Sequence, residues 1–122
     1  MTATILYIED NPDNKLLVQR ALEARGYIIE WAANGRTGLA QAEANPPDLI
    51  LLDINLPDMD GYEVARRLRA HDVLHSVPIM AITANALKGD AEKALAAGCD
   101  DYLSKPLQIQ ELWARVETLL QA

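Results

Sequence analysis

The chain has 122 residues, half of them hydrophobic, with six glycines and six prolines. This size and composition predict one globular domain over residues 1–122. The net charge of -7 argues against nucleic acid and anionic membrane as direct partners, because phosphate binding needs a basic face. No stretch approaches the ~20 consecutive apolar residues of a membrane span, and no basic region precedes the first apolar run. We therefore expect a cytoplasmic chain whose partner is another protein.

Five apolar runs of strand length alternate with helical patterns along the chain. The runs lie at 5–8 (ILYI), 27–32 (YIIEWA), 49–52 (LILL), 77–83 (VPIMAIT) and 101–103 (DYL). Apolar residues at helical spacing follow each run, in the stretches 17–22, 36–44, 64–68, an Ala-rich segment that stops at Gly98, and 109–120. The single Cys99 cannot form an internal disulfide and is interpreted as a buried small side chain.

The strands predict the fold class. They are continuously apolar rather than alternating, which is typical of strands buried on both faces between layers of helices. An order of strand then helix, repeated five times, predicts an α/β (βα)5 fold with a doubly wound parallel sheet.

Polar residues follow four of these strands. In an open parallel sheet, ligands bind outside the carboxyl ends of the strands, so residues distant in sequence can meet there. We expect one edge to bring together three acids, a hydroxyl and an amine, namely Glu9, Asp10, Asp53, Thr83 and Lys105.

Each of these residues has an ordinary structural explanation when it is taken alone. Glu9 and Asp10 are compatible with a loop and a helix cap, and Asp53 with a capped turn. Together, however, three carboxylates in one small site repel each other and require a divalent cation. Oxygen ligands that leave room for several waters favour Mg²⁺ over zinc.

Four segments carry a resemblance that extends from end to end of the chain: EDN at 9–11, LLDINLPDMDGYE at 51–63, ITANA at 82–86 and AAGCDDYLSKPL at 96–107. With them the chain resembles a response-regulator receiver domain of two-component signalling. The resemblance implies the flavodoxin-like strand order 2-1-3-4-5, which periodicity alone does not supply.

The resemblance implies a role for each site residue. Asp53 would accept a phosphoryl group from a phosphohistidine on a histidine kinase or a histidine phosphotransfer protein. Glu9, Asp10, Asp53 and the backbone carbonyl of Asn55 would hold Mg²⁺. Because the first acid is Glu9 rather than Asp, its metal contact is expected to pass through water.

Further residues would form a switch. Lys105 would pair with a phosphoryl oxygen, aimed by a cis peptide bond at Pro106, and Thr83 would donate its hydroxyl. Tyr102 corresponds to the ring that moves inward when Thr83 is drawn to the phosphate. Asn85 corresponds to a variable position that tunes dephosphorylation.

Other polar and aromatic residues have structural interpretations. Asp58 and Asp60 are interpreted as solvated, and His71 and His75 as lying at the wrong end of the sheet for this site. Trp113 is interpreted as core, whereas the sequence leaves Trp31 ambiguous.

Alternatives from other classes remain open. A haloacid-dehalogenase-like Mg²⁺ phosphatase would need a second Asp where Asn55 stands, and a flavodoxin-like electron carrier would need a phosphate-binding loop in place of the acidic EDNPDN. Within the family, a degenerate receiver would bind partners without phosphorylation. We expect a single-domain response regulator, monomeric or weakly dimeric, that catalyses only its own phosphorylation and dephosphorylation. It would dock on a downstream target protein or relay the phosphoryl group.

Overall fold

The structure is a computed structural model that describes residues 2–84 and 89–121. Strands and helices alternate through the chain. The strands are β1 (Thr4–Ile8), β2 (Ile28–Ala32), β3 (Leu49–Asp53), β4 (Ile79–Thr83) and β5 (Asp101–Ser104). The helices are α1 (Pro12–Glu23), α2 (Gly35–Ala44), α3 (Gly61–Ala70), α4 (Asp90–Ala96) and α5 (Ile109–Gln121). The alternation predicted from the apolar runs is confirmed.

The five strands form one parallel sheet in the order β2-β1-β3-β4-β5. Register pairs Ile8 with Leu52 across β1 and β3, and Asp53 with Ile82 across β3 and β4. The doubly wound fold class and its strand order are therefore confirmed. The strand order reverses direction between β1 and β3, so the carboxyl ends of these two strands border the crevice where such sheets bind ligands.

The core has two layers because successive side chains of a strand point to opposite faces of the sheet. One layer contains residues of α1 and α5 together with Ile5, Tyr7 and Leu51. The other contains residues of α3 and α4 together with Leu6, Ile8 and Leu52. A fully buried Leu or Ile contributes about 1.5–3 kcal/mol, so burial of both faces stabilises the sheet that carries the polar edge.

Strand β4 is shorter than predicted. The apolar run suggested a start at residue 77, whereas the strand begins at Ile79. Pro78 precedes it and has no backbone N–H to donate to a neighbouring strand, although its carbonyl accepts a bond from Ile50 at 3.0 Å.

The histidines lie at the side of the sheet formed by the amino ends of its strands, here called the amino edge. His71 caps the carboxyl end of α3, and its Nε2 lies 3.8 Å from a Glu43 carboxylate oxygen. His75 follows in the segment before β4, so both lie at the edge opposite the polar cluster, as interpreted from the sequence. None of the helices in the described ranges is long and apolar enough to cross a membrane.

Candidate functional site

Backbone hydrogen bonds continue past the strand ends and bring the predicted site residues to one edge. Glu9 donates to Ala32 O at 2.9 Å, and Lys105 donates to Thr83 O at 2.8 Å. Asp53 is the last residue of β3. The sheet thus places Glu9, Asp53, Thr83 and Lys105 at neighbouring strand ends, although they are distant in sequence.

Three carboxylates form a compact cluster at this edge. One oxygen each of Glu9, Asp10 and Asp53 lies within 4.8 Å of the others. Glu9 is fully buried and Asp53 is only 2% exposed, whereas Asp10 is exposed. Buried carboxylates at this separation are costly unless a cation compensates them.

Lys105 compensates part of this charge. Its ammonium Nζ lies 3.0 Å from Glu9 Oε1 and 3.2 Å from Asp53 Oδ2. Burial lowers the pKa of Lys105, but the hydrogen bond to Glu9 and the charge of Asp53 outweigh it, so the pKa is raised. Lys105 is therefore charged at neutral pH. The Lys105–Pro106 peptide bond is cis.

Opposing effects act on the pKa of Glu9. Burial raises its pKa, and the neighbouring Asp53 carboxylate raises it further, while Lys105 and the Tyr7 hydroxyl act in the opposite direction. The Tyr7 hydroxyl donates to Glu9 Oε1 at 2.9 Å, and Asn14 Nδ2 donates to the same oxygen at 3.2 Å. Sequence reasoning missed Tyr7 and Asn14. The alternation of a strand places Tyr7 on the same face as Glu9, which was the available signal.

The turn after β1 orients Asn14. The Asn11 side chain caps α1 by accepting the N–H groups of Asp13 at 2.8 Å and Asn14 at 3.2 Å. Pro12 stands at the first helical position, where its missing N–H costs nothing. The segment EDNPDN therefore starts a helix whose first turn faces the carboxylates.

The loop after β3 approaches the site closely. The Asn55 N–H donates to Asp53 Oδ1 at 2.9 Å, and Gly61 donates its N–H to Ile54 O at 3.1 Å. A Cβ on Gly61 would lie 2.5 Å from the Ile54 Cα, so the close approach requires glycine. Asn55 is exposed at the mouth of the site.

Two acids of this loop differ from the sequence interpretation. Asp58 and Asp60 are exposed, but they are not merely solvated. Asp58 accepts the N–H groups of Gly35 at 2.8 Å and Arg36 at 2.9 Å, at the start of α2. Asp60 caps α3 by accepting the Tyr62 N–H at 2.9 Å. The interpretation as exposed acids was right but incomplete. The cap by Asp60 is local, two positions before Tyr62, whereas only the tertiary fold brings the N–H groups of Gly35 and Arg36 to Asp58.

Thr83 and Tyr102 lie on the neighbouring strands β4 and β5. Thr83 is 4% exposed and pairs with Ser104, and Tyr102 pairs with Ala81. The half-buried Tyr102 ring packs against the core layer of α3 and α4. Asn85 lies outside the described residues.

The two tryptophans have defined partners. The Trp31 indole N–H donates to Glu9 O at 2.7 Å, and the Trp113 indole N–H donates to Ala21 O at 2.7 Å. Trp113 packs against the core, as interpreted. Trp31, left ambiguous by the sequence, is therefore a neighbour of the acidic cluster.

The donor set fits Mg²⁺. The cluster offers carboxylate oxygens from Glu9, Asp10 and Asp53, and hard divalent cations prefer oxygen ligands. Three carboxylates and one ammonium leave a formal charge of -2, which a divalent cation would neutralise. Cys99 and the histidines are remote from it, and no soft ligand from the described ranges joins this cluster, which argues against zinc.

Residues 5–117 match the family described as response regulator receiver domain. The chain belongs to this family. The interpretation from the four segments is thereby confirmed.

Relatives of this receiver differ in length. It is 38% identical over 120 residues to the polar-differentiation response regulator DivK of Brucella anthropi, covering 98% of each chain. It is 43% identical over 117 residues to the transcriptional activator protein IrlR of Burkholderia pseudomallei, covering 96% of this chain and 50% of IrlR. The chain thus spans half of IrlR and nearly all of DivK.

A solved structure resembles this receiver closely. The receiver domain of the sensor histidine kinase PA1611 from Pseudomonas aeruginosa PAO1 superposes with a TM-score of 0.93 at 39% identity, and the match covers 100% of both chains. That structure has a magnesium ion coordinated in its active site cleft. The acidic cluster of Glu9, Asp10 and Asp53 in this chain fits the same ion.

Proposed function

We propose that this receiver accepts a phosphoryl group on Asp53 from a phosphohistidine of a histidine kinase or a histidine phosphotransfer protein. One observation carries the proposal. Asp53 ends β3 nearly buried, with Lys105 at 3.2 Å and two further carboxylates beside it. Such an arrangement combines a nucleophile, a fixed cation and a site for a second cation.

The transfer balances as a displacement at phosphorus. An Asp53 carboxylate oxygen forms the new P–O bond while the P–N bond of the phosphohistidine breaks, and the imidazole nitrogen keeps the electron pair and takes a proton. Lys105 neutralises charge on the phosphoryl oxygens, and the Asn55 N–H orients the second Asp53 oxygen through its 2.9 Å bond. Catalysis is then positioning and charge neutralisation, as expected for phosphoryl transfer.

Mg²⁺ would be held by Glu9, Asp10, Asp53 and the carbonyl of Asn55. It would supply charge neutralisation on the phosphoryl oxygens. Thr83 would donate to the phosphoryl group and Tyr102 would follow, which biases the face built by α4, β5 and α5. The chain would then act as a switch rather than an enzyme with an external substrate, in the cytoplasm, by docking on a downstream protein or by relaying the group.

Phosphorylation with acetyl phosphate tests this function. We expect one base-labile phosphoryl group on the wild-type chain, visible as an increase of about 80 Da by mass spectrometry and dependent on Mg²⁺. Asp53→Asn should abolish it. The matched control Asp48→Asn changes an acid before β3, at the opposite edge, and should label normally. Equal labelling of Asp53→Asn would contradict the assignment, whereas no labelling of the wild type by any phosphohistidine donor would favour a degenerate receiver.

The switch has its own test. Thr83→Ala should still accept the phosphoryl group on Asp53, because the hydroxyl is not the nucleophile. Beryllofluoride, a phosphoryl mimic, should shift NMR resonances of β5 and α5 in the wild type and less in Thr83→Ala. Wild-type shifts confined to the loop after Asp53 would contradict docking and favour a relay.

A further inference from the structure

The Glu9 carboxylate is held by several protein groups at once. Its Oε1 accepts the Tyr7 hydroxyl at 2.9 Å, Asn14 Nδ2 at 3.2 Å and Lys105 Nζ at 3.0 Å. Its Oε2 accepts a longer bond of 3.4 Å from the Asn11 N–H. The two oxygens are therefore not equivalent, since Oε1 is fully engaged and Oε2 is weakly engaged.

The main chain of Glu9 is fixed as well. The Trp31 indole donates to its carbonyl at 2.7 Å, and its own N–H donates to Ala32 at 2.9 Å. The Lys15 ammonium lies 5.1 Å from the centre of the Trp31 ring, which is within cation–π range. Strand β2 and helix α1 thus both brace the residue that begins the acidic pair.

A glutamate at this position needs such support. Its side chain has one more rotatable bond than aspartate, so ordering it costs more conformational entropy. Tyr7 is fully buried, and a buried hydroxyl requires a hydrogen-bond partner. The strand period directs that hydroxyl to Glu9, so one bond satisfies the tyrosine and orders the glutamate.

We propose that Tyr7, Asn14 and Trp31 are positioning residues, here called the Glu9 clamp, that engage Oε1 and the carbonyl of Glu9 and leave Oε2 to the cation or to water bound to it. The inference rests on the proposed Mg²⁺ site and adds to it the residues that preorganise its glutamate. Groups that orient a metal ligand in this way commonly change metal affinity 10- to 100-fold when they are removed.

Tyr7→Phe is the main test, because it removes the hydroxyl and keeps the ring in the core. We expect the Kd for Mg²⁺, followed by NMR titration of backbone amides, to rise about 10-fold. Tyr27→Phe is the matched control, since Tyr27 packs against the same core layer at the opposite edge. The Mg²⁺ Kd of Tyr27→Phe should differ from that of the wild type by less than about twofold. Trp31→Phe, which loses the indole donor from a half-buried position, should weaken Mg²⁺ binding in the same direction.

A double-mutant cycle separates positioning from general destabilisation. In a Glu9→Gln background, Tyr7→Phe should change the Mg²⁺ Kd less than about twofold, because the hydroxyl acts through the carboxylate. In the metal-free protein, the carboxyl ¹³C resonance of Glu9 should shift relative to the wild type in Tyr7→Phe and remain unchanged in Tyr27→Phe. This readout does not depend on the metal or on phosphorylation.

The outcomes distinguish this inference from the function on which it rests. If the wild type binds Mg²⁺ and Tyr7→Phe binds it equally well, the Glu9 clamp is overturned and the proposed function stands. An equal loss of affinity in the Glu9 and Glu9→Gln backgrounds also overturns it, because the hydroxyl would then act by another route. Absence of Mg²⁺ binding by the wild type would overturn both.

Discussion

The two edges of the sheet each contain a basic side chain paired with acid, but they are completed differently. At the amino edge, the Arg69 guanidinium donates to Gly98 O at 2.6 Å, Val77 O at 2.6 Å and His75 O at 3.1 Å. It also pairs with the Asp100 carboxylate, which in turn accepts the Ile79 N–H at 2.8 Å. Protein groups alone complete this network.

At the side of the sheet formed by the carboxyl ends of its strands, here called the carboxyl edge, protein groups leave negative charge uncompensated. Lys105 bridges Glu9 and Asp53, and Asp10 adds a third carboxylate within 4.8 Å. Each buried side-chain polar atom in the described ranges has a hydrogen-bond partner, so missing hydrogen bonds do not distinguish the edges. Excess charge does. A network that balances its own charge stabilises the fold, whereas one that needs an external cation binds a ligand.

The largest expected effect is at the amino edge. Arg69→Ala removes four hydrogen-bonding contacts: three backbone carbonyls lose a donor, and the partly exposed Asp100 keeps the Ile79 N–H. We expect the free energy of unfolding in urea to fall by about 3 kcal/mol, while the Mg²⁺ Kd changes less than about twofold.

Arg67→Ala is the matched control for Arg69→Ala. Arg67 belongs to the same helix and pairs with Glu63 at 3.0 Å, but its side chain is 60% exposed. An exposed pair of this kind is worth about 0.3–0.5 kcal/mol. A similar small loss in both variants would show that the Arg69 network does not support the fold.

At the carboxyl edge, the change in the free energy of unfolding should have the opposite sign. Asp53→Asn removes repulsion with two carboxylates, each worth about 3 kcal/mol at an effective dielectric of ~20. It loses one attraction to Lys105 of about 5 kcal/mol on the same scale, and it removes the cost of burying the charge. We expect the metal-free variant to be more stable than the wild type by about 1–2 kcal/mol, measured by urea unfolding in EDTA.

Mg²⁺ should remove this difference. At ten times its Kd, a ligand that binds only the folded state adds about 1.4 kcal/mol to the wild type, and the variant should gain less. If Asp53→Asn instead destabilises the metal-free protein, the three carboxylates are already compensated and the distinction between the edges fails.

Sequence predicted the fold and most of the site because both depend on strong local signals. Continuous apolar runs specify strands buried on both faces, and parallel strands necessarily bring their carboxyl ends together. The residues directly after those ends, such as Asp53 and Lys105, could therefore be placed without coordinates. The strand order needed the family resemblance, because alternation alone is compatible with several orders.

The residues that sequence reasoning missed act through hydrogen bonds, and some of these bonds join distant parts of the chain. Tyr7 is indistinguishable by composition from an apolar core residue, and Trp31 lies 22 positions from the Glu9 carbonyl that its indole contacts. Asp58 lies 23 positions from Gly35. Neither periodicity nor charge density records which donor meets which acceptor across elements, so these contacts required the structure.

The smallest expected effect tests whether charge balance, rather than location, decides if an acid is structural or belongs to the metal site. Asp58 lies in the loop of the carboxyl edge, yet its carboxylate is matched by the N–H groups of Gly35 and Arg36. Asp58 therefore has a structural role. Asp58→Ala should lower the free energy of unfolding by about 0.5–1 kcal/mol at pH 7, a typical loss for a helix N-terminal acceptor, and leave the Mg²⁺ Kd unchanged within about twofold.

The pH dependence of Asp58→Ala follows from the same contacts. Slight burial raises the Asp58 pKa, but the bonds from the Arg36 and Gly35 N–H groups outweigh it, so the pKa lies below its ordinary value. A depressed carboxyl pKa contributes stability above the unfolded pKa of about 4 and loses it as pH falls through the folded pKa. The difference between wild type and Asp58→Ala should therefore be constant from pH 6 to 8 and shrink below about pH 4. A difference that persists unchanged in acid would mean that the protonated Asp58 side chain contributes as much as the carboxylate, so that its charge does not anchor α2. A marked loss of Mg²⁺ affinity in this variant would show that location at the carboxyl edge, and not charge balance, makes an acid part of the site.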